Sequence, residues 1–230
     1  IFSLPLWKKR SEVKTGEVSG ESDGTANNET RKPLSVRGVL AIRGAKEILV
    51  MFFCYCALES TAMLWGSSYM ALGKGIDKTT AATWASLFCI GITVGRLASG
   101  FLTMKFNDPT MIRLGQALVL TGIVSMLLPL PHNIGTIMGL MIIGLGCAPI
   151  YPCVIHSTPA YFGEDKSQAI VGMQMACAYV GSMCMPPVFG LIAQHVSVLW
   201  FPLYMLVFLV LMVIMHESLR KKCAGQTIGW

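Results

Sequence analysis

The chain has 230 residues, and counting Gly in place of Tyr raises its hydrophobic fraction from 53% to roughly 60%, against about 45 to 50% in soluble domains. Charged residues make up 13%, about half the soluble norm, and fifteen of the thirty lie within the first 47 positions. A soluble globular protein is excluded, and the net charge of +6 is no nucleic-acid signature, because the basic residues sit in short clusters between apolar runs with no interleaved aromatics.

Ile1 to Leu6 read as the end of an apolar run that stops at Trp7-Lys8-Lys9-Arg10, so residues 1–7 are expected to close a preceding membrane helix of a longer polypeptide. No signal peptide is expected, since a charged start, an apolar stretch and a small-residue cleavage site do not follow one another. Residues 8–46 are polar, with Gly16, Ser19, Gly20, Ser22, Gly24, Thr25, Asn27 and Asn28, and read as a flexible cytoplasmic linker that cannot bury a core. Asn28-Glu29-Thr30 fits the N-glycosylation pattern, but a cytosolic position makes the match fortuitous.

A bilayer core takes about 20 mostly apolar residues per helix. Six segments qualify: Ile48 to Leu72, Thr80 to Met104, Met111 to Leu130, Ile134 to Ile155, Gln168 to Ala193 and Val196 to Met215. They form a bundle over residues 47–217, followed by a tail at 218–230. With six spans both flanks lie on one side. That side collects sixteen of the eighteen Lys and Arg residues, from Lys8 to Lys46, at Arg96, Lys105, Arg113 and Lys166, and from Arg220 to Lys222; the other side has Lys74 and Lys78. Basic residues accumulate on the cytoplasmic face. The chain is therefore expected to be a multi-pass protein of the plasma (cell inner) membrane with both flanks in the cytosol.

Within the first span, Glu59 lies near the bilayer centre, where an acid costs roughly 2.5 to 3.5 kcal/mol on insertion scales. A charge tolerated there is expected to bind a proton or a solute in a cavity, the alternative being a structural carboxyl bonded to a neighbouring helix. Tyr55 stands one turn before it and Gly66 two turns after, on the same helix face. Trp65 is about 120° and Tyr69 about 80° around the helix, and each serves either to stack on a sugar ring or to pack. Arg96 lies two turns inside the second span and either faces a cavity or snorkels to the interface.

The fourth span carries Gly144, Gly146, Pro149 and Pro152, a density expected to kink the helix and free backbone groups for gating. The fifth repeats the device with Gly172, Gly181, Pro186, Pro187 and Gly190, and adds Gln168, Gln174 and Tyr179. Gln174 and Tyr179 are about 140° apart, so at most one points straight into a cavity. The other reading is ordinary membrane-helix packing.

His132, His195 and His216 fall near span ends and His156 at the cytoplasmic mouth, without metal-ligand spacing. Cys54, Cys56, Cys89, Cys147, Cys153, Cys177 and Cys184 lie in apolar tracts and read as small packing residues. Gly66-Ser67-Ser68-Tyr69 lacks the glycine after a nucleophile and has no buried histidine base, and no phosphate-binding glycine loop occurs. Neither enzymatic activity nor a cofactor or metal is expected.

Gly95-Arg96-Leu97-Ala98-Ser99-Gly100 with Lys105 resembles the loop signature of the major facilitator superfamily. Gly144-Leu145-Gly146-Cys147-Ala148-Pro149-Ile150-Tyr151-Pro152, Tyr161-Phe162-Gly163, and Glu59 with Trp65 and Tyr69 resemble its fucose-permease-like branch of sugar:proton symporters. The resemblance implies the C-terminal six-helix half of a twelve-helix transporter, partnered by an N-terminal half of the same polypeptide. It places Glu59 and the Gly144 to Pro152 stretch beside a central cavity. The superfamily loop usually carries an acid before its basic residue, whereas here Met104 precedes Lys105 and Asp108 is displaced, so no charge-relay gate is expected in this loop.

The function expected from these features is proton-coupled symport of a small polar solute, a sugar, across the lipid bilayer. Glu59, Tyr55, Trp65, Tyr69, Arg96, Gln174 and Tyr179 form its candidate solute and proton site. The alternatives are a proton-coupled efflux antiporter for amphipathic compounds and a non-transporting membrane sensor or scaffold.

Overall fold

Backbone groups in lipid must be satisfied within the segment itself or in a closed barrel, and in the computed structural model the long apolar runs are helices. The structure describes residues 36–128 and 133–223. Among them are seven α-helices and no strand: α1 (Val36–Ala41), α2 (Ala45–Ser68), α3 (Lys78–Leu102), α4 (Asp108–Leu127), α5 (Ile134–Phe162), α6 (Glu164–His195) and α7 (Phe201–Cys223). A π-helical segment, Tyr69–Gly73, prolongs α2, and a 3-10 turn, Val198–Trp200, leads into α7. Six of these helical runs are long and apolar enough to cross a bilayer. The chain is an all-α, multi-pass membrane protein.

The six spans fall where the apolar runs predict, with ends displaced. α5 continues seven residues beyond Ile155 to Phe162, and α6 already begins at Glu164. Hydropathy marks where the hydrocarbon stops, whereas the backbone keeps hydrogen bonding into the polar zone. Leu130, the expected end of the third span, and His132 lie outside the described residues, as do residues 1–35 with the Asn28 motif. Val36–Ala41 form a short helix within the stretch read as linker, and α7 carries helix past residue 217 into the stretch read as tail.

Local chemistry sets the helix ends. Asp77 caps α3, its carboxylate accepting from the Thr79 and Thr80 amides at 3.0 and 3.2 Å. Gly44 turns the chain between α1 and α2 at φ 92°, and a Cβ there would also press on Cys223 Sγ at 3.0 Å.

The helices associate in two groups, α3 and α4 on α5, and α6 and α7 on α2. The groups meet through α2 with α3, α2 with α5, α5 with α6 and α4 with α7. Where α4 crosses α5, a Cβ on Gly115 would lie 2.6 Å from the Gly146 carbonyl oxygen, and a Cβ on Gly146 would lie 2.7 Å from that of Gly115. Small residues at such crossings let backbones approach, the main source of helix adhesion where lipid is as apolar as the core.

Ion pairs gather at one end of the bundle. Arg113 on α4 grips Glu217 on α7 with two hydrogen bonds of 2.8 Å, and Lys222 on α7 reaches Glu47 at the start of α2. On α5, His156 Nδ1 sits 2.6 Å from Asp108 Oδ2 at the start of α4.

Candidate functional site

α2 and α5 meet through aromatic rings. Phe52 and Tyr55, one turn apart at three residues' spacing on α2, both contact Tyr151 on α5, with ring centroids 5.1 and 6.2 Å from it. Tyr55 is buried at 1% exposure and Tyr151 half-buried. One turn beyond Tyr55 comes the partly buried Glu59, whose charge is felt by the Tyr55 hydroxyl, by Tyr151 and by the Cys147 thiol behind them. From α3, the Arg96 guanidinium acts on Glu59 without forming an ion pair with it among the described residues.

Beyond this cluster the surface opens into a groove of about 460 Å3, lined by Arg96, Ser99, Gly100, Thr103, Tyr151 and Pro152. A second hollow of about 390 Å3 shares Thr103 and Pro152 with it and adds Asp108, Cys153 and His156. The furrow thus runs between α3 and α5 toward the end where the ion pairs gather. A volume of this size is in the usual range of small-molecule sites, roughly 300 to 1,000 Å3.

Of the residues singled out in the sequence, Glu59, Tyr55 and Arg96 come together here. Tyr179 on α6 is 69% exposed and close enough to Tyr151 to act on its hydroxyl. Gln174 turns the other way. It is fully buried, its amide and the Thr158 hydroxyl pairing at 3.2 to 3.3 Å across α5 and α6.

Trp65 and Tyr69 are held elsewhere. The Trp65 indole N–H donates to the Pro186 carbonyl at 3.0 Å, and its ring meets Phe189 edge-on at 5.3 Å. Tyr69 is buried against Phe201 at 5.1 Å. Both therefore fasten α2 to α6 and α7 in this conformation. Trp65→Phe keeps a ring and loses the donor, so a loss of about 1 to 2 kcal/mol in stability is expected. Thermal unfolding of the purified protein in detergent measures it, and an unchanged midpoint would remove the Pro186 bond from the account.

α5 runs helical without interruption through Pro149 and Pro152, and α6 through Pro186 and Pro187. Gly144 and Gly146 lie at crossings, Gly144 against the Phe88 carbonyl of α3 and Gly146 against α4. Pro186 is buried between α6 and Trp65, while Pro152 lines the groove.

Residue-type arguments missed Tyr151, which lies inside the quoted Gly144 to Pro152 stretch between two prolines. They also missed the pairing of the displaced Asp108 with His156, 48 positions away. Nothing in one helix's pattern signals either. The eight cysteines are free, and no metal-ligating group of three occurs among the described residues.

A family model described as the Major Facilitator Superfamily matches residues 48–222. No curated protein matches the chain. Among solved structures the chain is similar to a single-residue variant of the E. coli fucose:proton symporter FucP, with a TM-score of 0.67 and 14% identity over 89% of this chain and 50% of that one. It is similar as well to a Major Facilitator Superfamily transporter, FucP, in the outward conformation, with a TM-score of 0.64 and 16% identity over 88% of this chain and 47% of that one. At such identities the likeness shows the fold. The chain spans about half the length of these transporters, in agreement with the resemblance read from Gly95 to Gly100 and Gly144 to Pro152.

Proposed function

Because this chain belongs to the Major Facilitator Superfamily, we propose that it works as the C-terminal six-helix half of a secondary active transporter that moves a sugar together with protons by alternating access. The N-terminal half of the same polypeptide completes the site. The membrane is the plasma (cell inner) membrane, with residues 8–46 and 218–230 on the cytoplasmic side, where the basic residues accumulate. The similarity to the E. coli fucose:proton symporter supports the choice of sugar and proton.

The observation that carries the reading is the Glu59 carboxyl, set mid-span beside Tyr55 and Tyr151 and under the influence of Arg96, which lines a groove with Ser99, Thr103 and Tyr151. A carboxyl in such a place exchanges a proton with whichever side the cavity faces, and hydroxyl-bearing solutes hydrogen bond to it. Tyr151, which lines the groove, offers a sugar ring its face, and the buried Tyr55 holds Tyr151 and Glu59 in place behind it.

The test uses de-energised cells expressing the full-length transporter, with external pH recorded as neutral sugars and neutralised sugar acids are added in turn. Alkalinisation on adding one of them is expected, as protons enter with it. A flat trace with every sugar, from cells with the protein confirmed in the membrane, overturns the reading.

A further inference from the structure

The groove beside Glu59 is not chemically neutral. Arg96 lines it and forms no ion pair among the described residues, while three acids at that end are engaged: Asp108 by His156, Glu217 by Arg113 and Glu47 by Lys222. Glu59 on α2, in contact with the Tyr55 hydroxyl, is the mid-span acid whose charge Arg96 balances, with Tyr151 of α5 near both. The remaining groups around Glu59 are the Tyr55 hydroxyl and the Cys56 and Cys147 thiols, none of them cationic.

The other polar groups of the groove share one property. The Ser99 hydroxyl donates to the Arg96 carbonyl at 2.9 Å, the Thr103 hydroxyl to the Gly100 carbonyl at 3.1 Å, and the Tyr151 hydroxyl to Met175 Sδ at 3.4 Å. Each has spent its proton, so each offers a solute only acceptor lone pairs. The groove thus presents three acceptors, which suit hydroxyl donors of a polyol, and one guanidinium, which suits a planar carboxylate.

We propose that the solute taken by this groove is a sugar acid, a polyhydroxylated monocarboxylate whose carboxylate binds Arg96. The proposal rests on the sugar and proton symport reading above and names its substrate class. When Glu59 binds a proton, Arg96 loses its counter-charge, and the solute carboxylate restores it. Proton and anion therefore each favour the other's binding, by a coupling that is reciprocal. A neutral hexose leaves Arg96 uncompensated at that step. One proton and one monoanion cross together, no bond is made or broken, and the cycle moves no net charge.

The experiment reconstitutes the full-length transporter in proteoliposomes and compares uptake of labelled glucuronate and glucose. One set is driven by a pH gradient alone, the other by a potassium diffusion potential at symmetric pH. Glucuronate uptake exceeding that of glucose by roughly tenfold or more is expected, the effect of one charge-assisted contact. It should follow the pH gradient and ignore the voltage. Arg96→Gln should collapse the preference toward one, and Arg96→Lys should keep part of it. Glucose preferred, with voltage-driven uptake, overturns the sugar-acid inference and leaves symport of neutral sugars standing. Uptake of neither overturns the sugar-acid inference, and together with a flat pH trace for every sugar it overturns the symport reading as well. A preference unchanged in Arg96→Gln removes Arg96 from substrate choice, and the wild-type preference and voltage response decide the substrate class even if that variant fails to insert.

Discussion

Glu59→Gln is expected to abolish accumulation of the solute against its gradient while leaving exchange of solute for solute across the membrane. A one-unit pH gradient is worth about 1.36 kcal/mol per proton, or roughly a tenfold accumulation when one proton enters with each solute. An amide at position 59 keeps the shape and much of the hydrogen bonding of a protonated carboxyl but cannot release a proton, so the bound solute is no longer tied to proton movement. The accumulation ratio in proteoliposomes should fall from about ten to one under that gradient, whereas counterflow of labelled against unlabelled solute persists. Accumulation retained at the wild-type ratio would assign proton coupling to another group. Loss of both readouts, with Glu59→Asp recovering neither, would point to a structural carboxyl.

The second large effect is expected at the α4 and α5 crossing. A side chain on Gly146 meets the Gly115 carbonyl oxygen at 2.7 Å, the Val119 amide nitrogen at 2.8 Å and Leu118 Cβ at 2.9 Å, and two of these three are backbone atoms that no rotamer change can move. Gly146→Leu must therefore push the helices apart, which forfeits the close packing that holds them in lipid. A loss of about 3 kcal/mol is expected, at the upper end of overpacking costs. Gly172 is the control, because on α6 nothing lies within 4 Å of an added Cβ there. Gly172→Leu should leave the thermal midpoint in detergent within a degree or two, and Gly146→Leu should lower it by several degrees or prevent purification of a monodisperse protein. Equal behaviour of the two would mean that the crossing has room to relax.

These two residues mark different kinds of legibility. Glu59 is conspicuous in the chain alone, since an acid in the middle of an apolar run is costly in any arrangement of helices. Gly146 is not, since Gly144, Gly146 and Gly172 look alike in sequence. The structure places the first two at helix crossings and the third in open space. The same separation runs through the aromatic and polar candidates. Tyr55 and Trp65 lie on one helix, yet Tyr55 joins Tyr151 and Glu59 while Trp65 donates to Pro186. Gln174 and Tyr179 stand about 140° apart on α6, and the neighbours of α6 set their surroundings: Thr158 takes Gln174, and Tyr179 is left exposed.

The amino-acid sequence by itself determined that this is a helical membrane protein with six spans among the described residues, and through its signature residues the superfamily to which it belongs. Length and hydropathy are properties of each segment alone, and a bilayer enforces them whatever the partners of that segment are. Only the tertiary structure decided which residues share the groove, which glycines carry crossings and that Asp108 pairs with His156. In a membrane the face of a helix toward lipid and the face toward another helix are both apolar, so no hydrophobic stripe marks the inner side as it does in water. Facing is set by small residues, aromatic contacts and a few hydrogen bonds between helices, and those exist only once the helices have met.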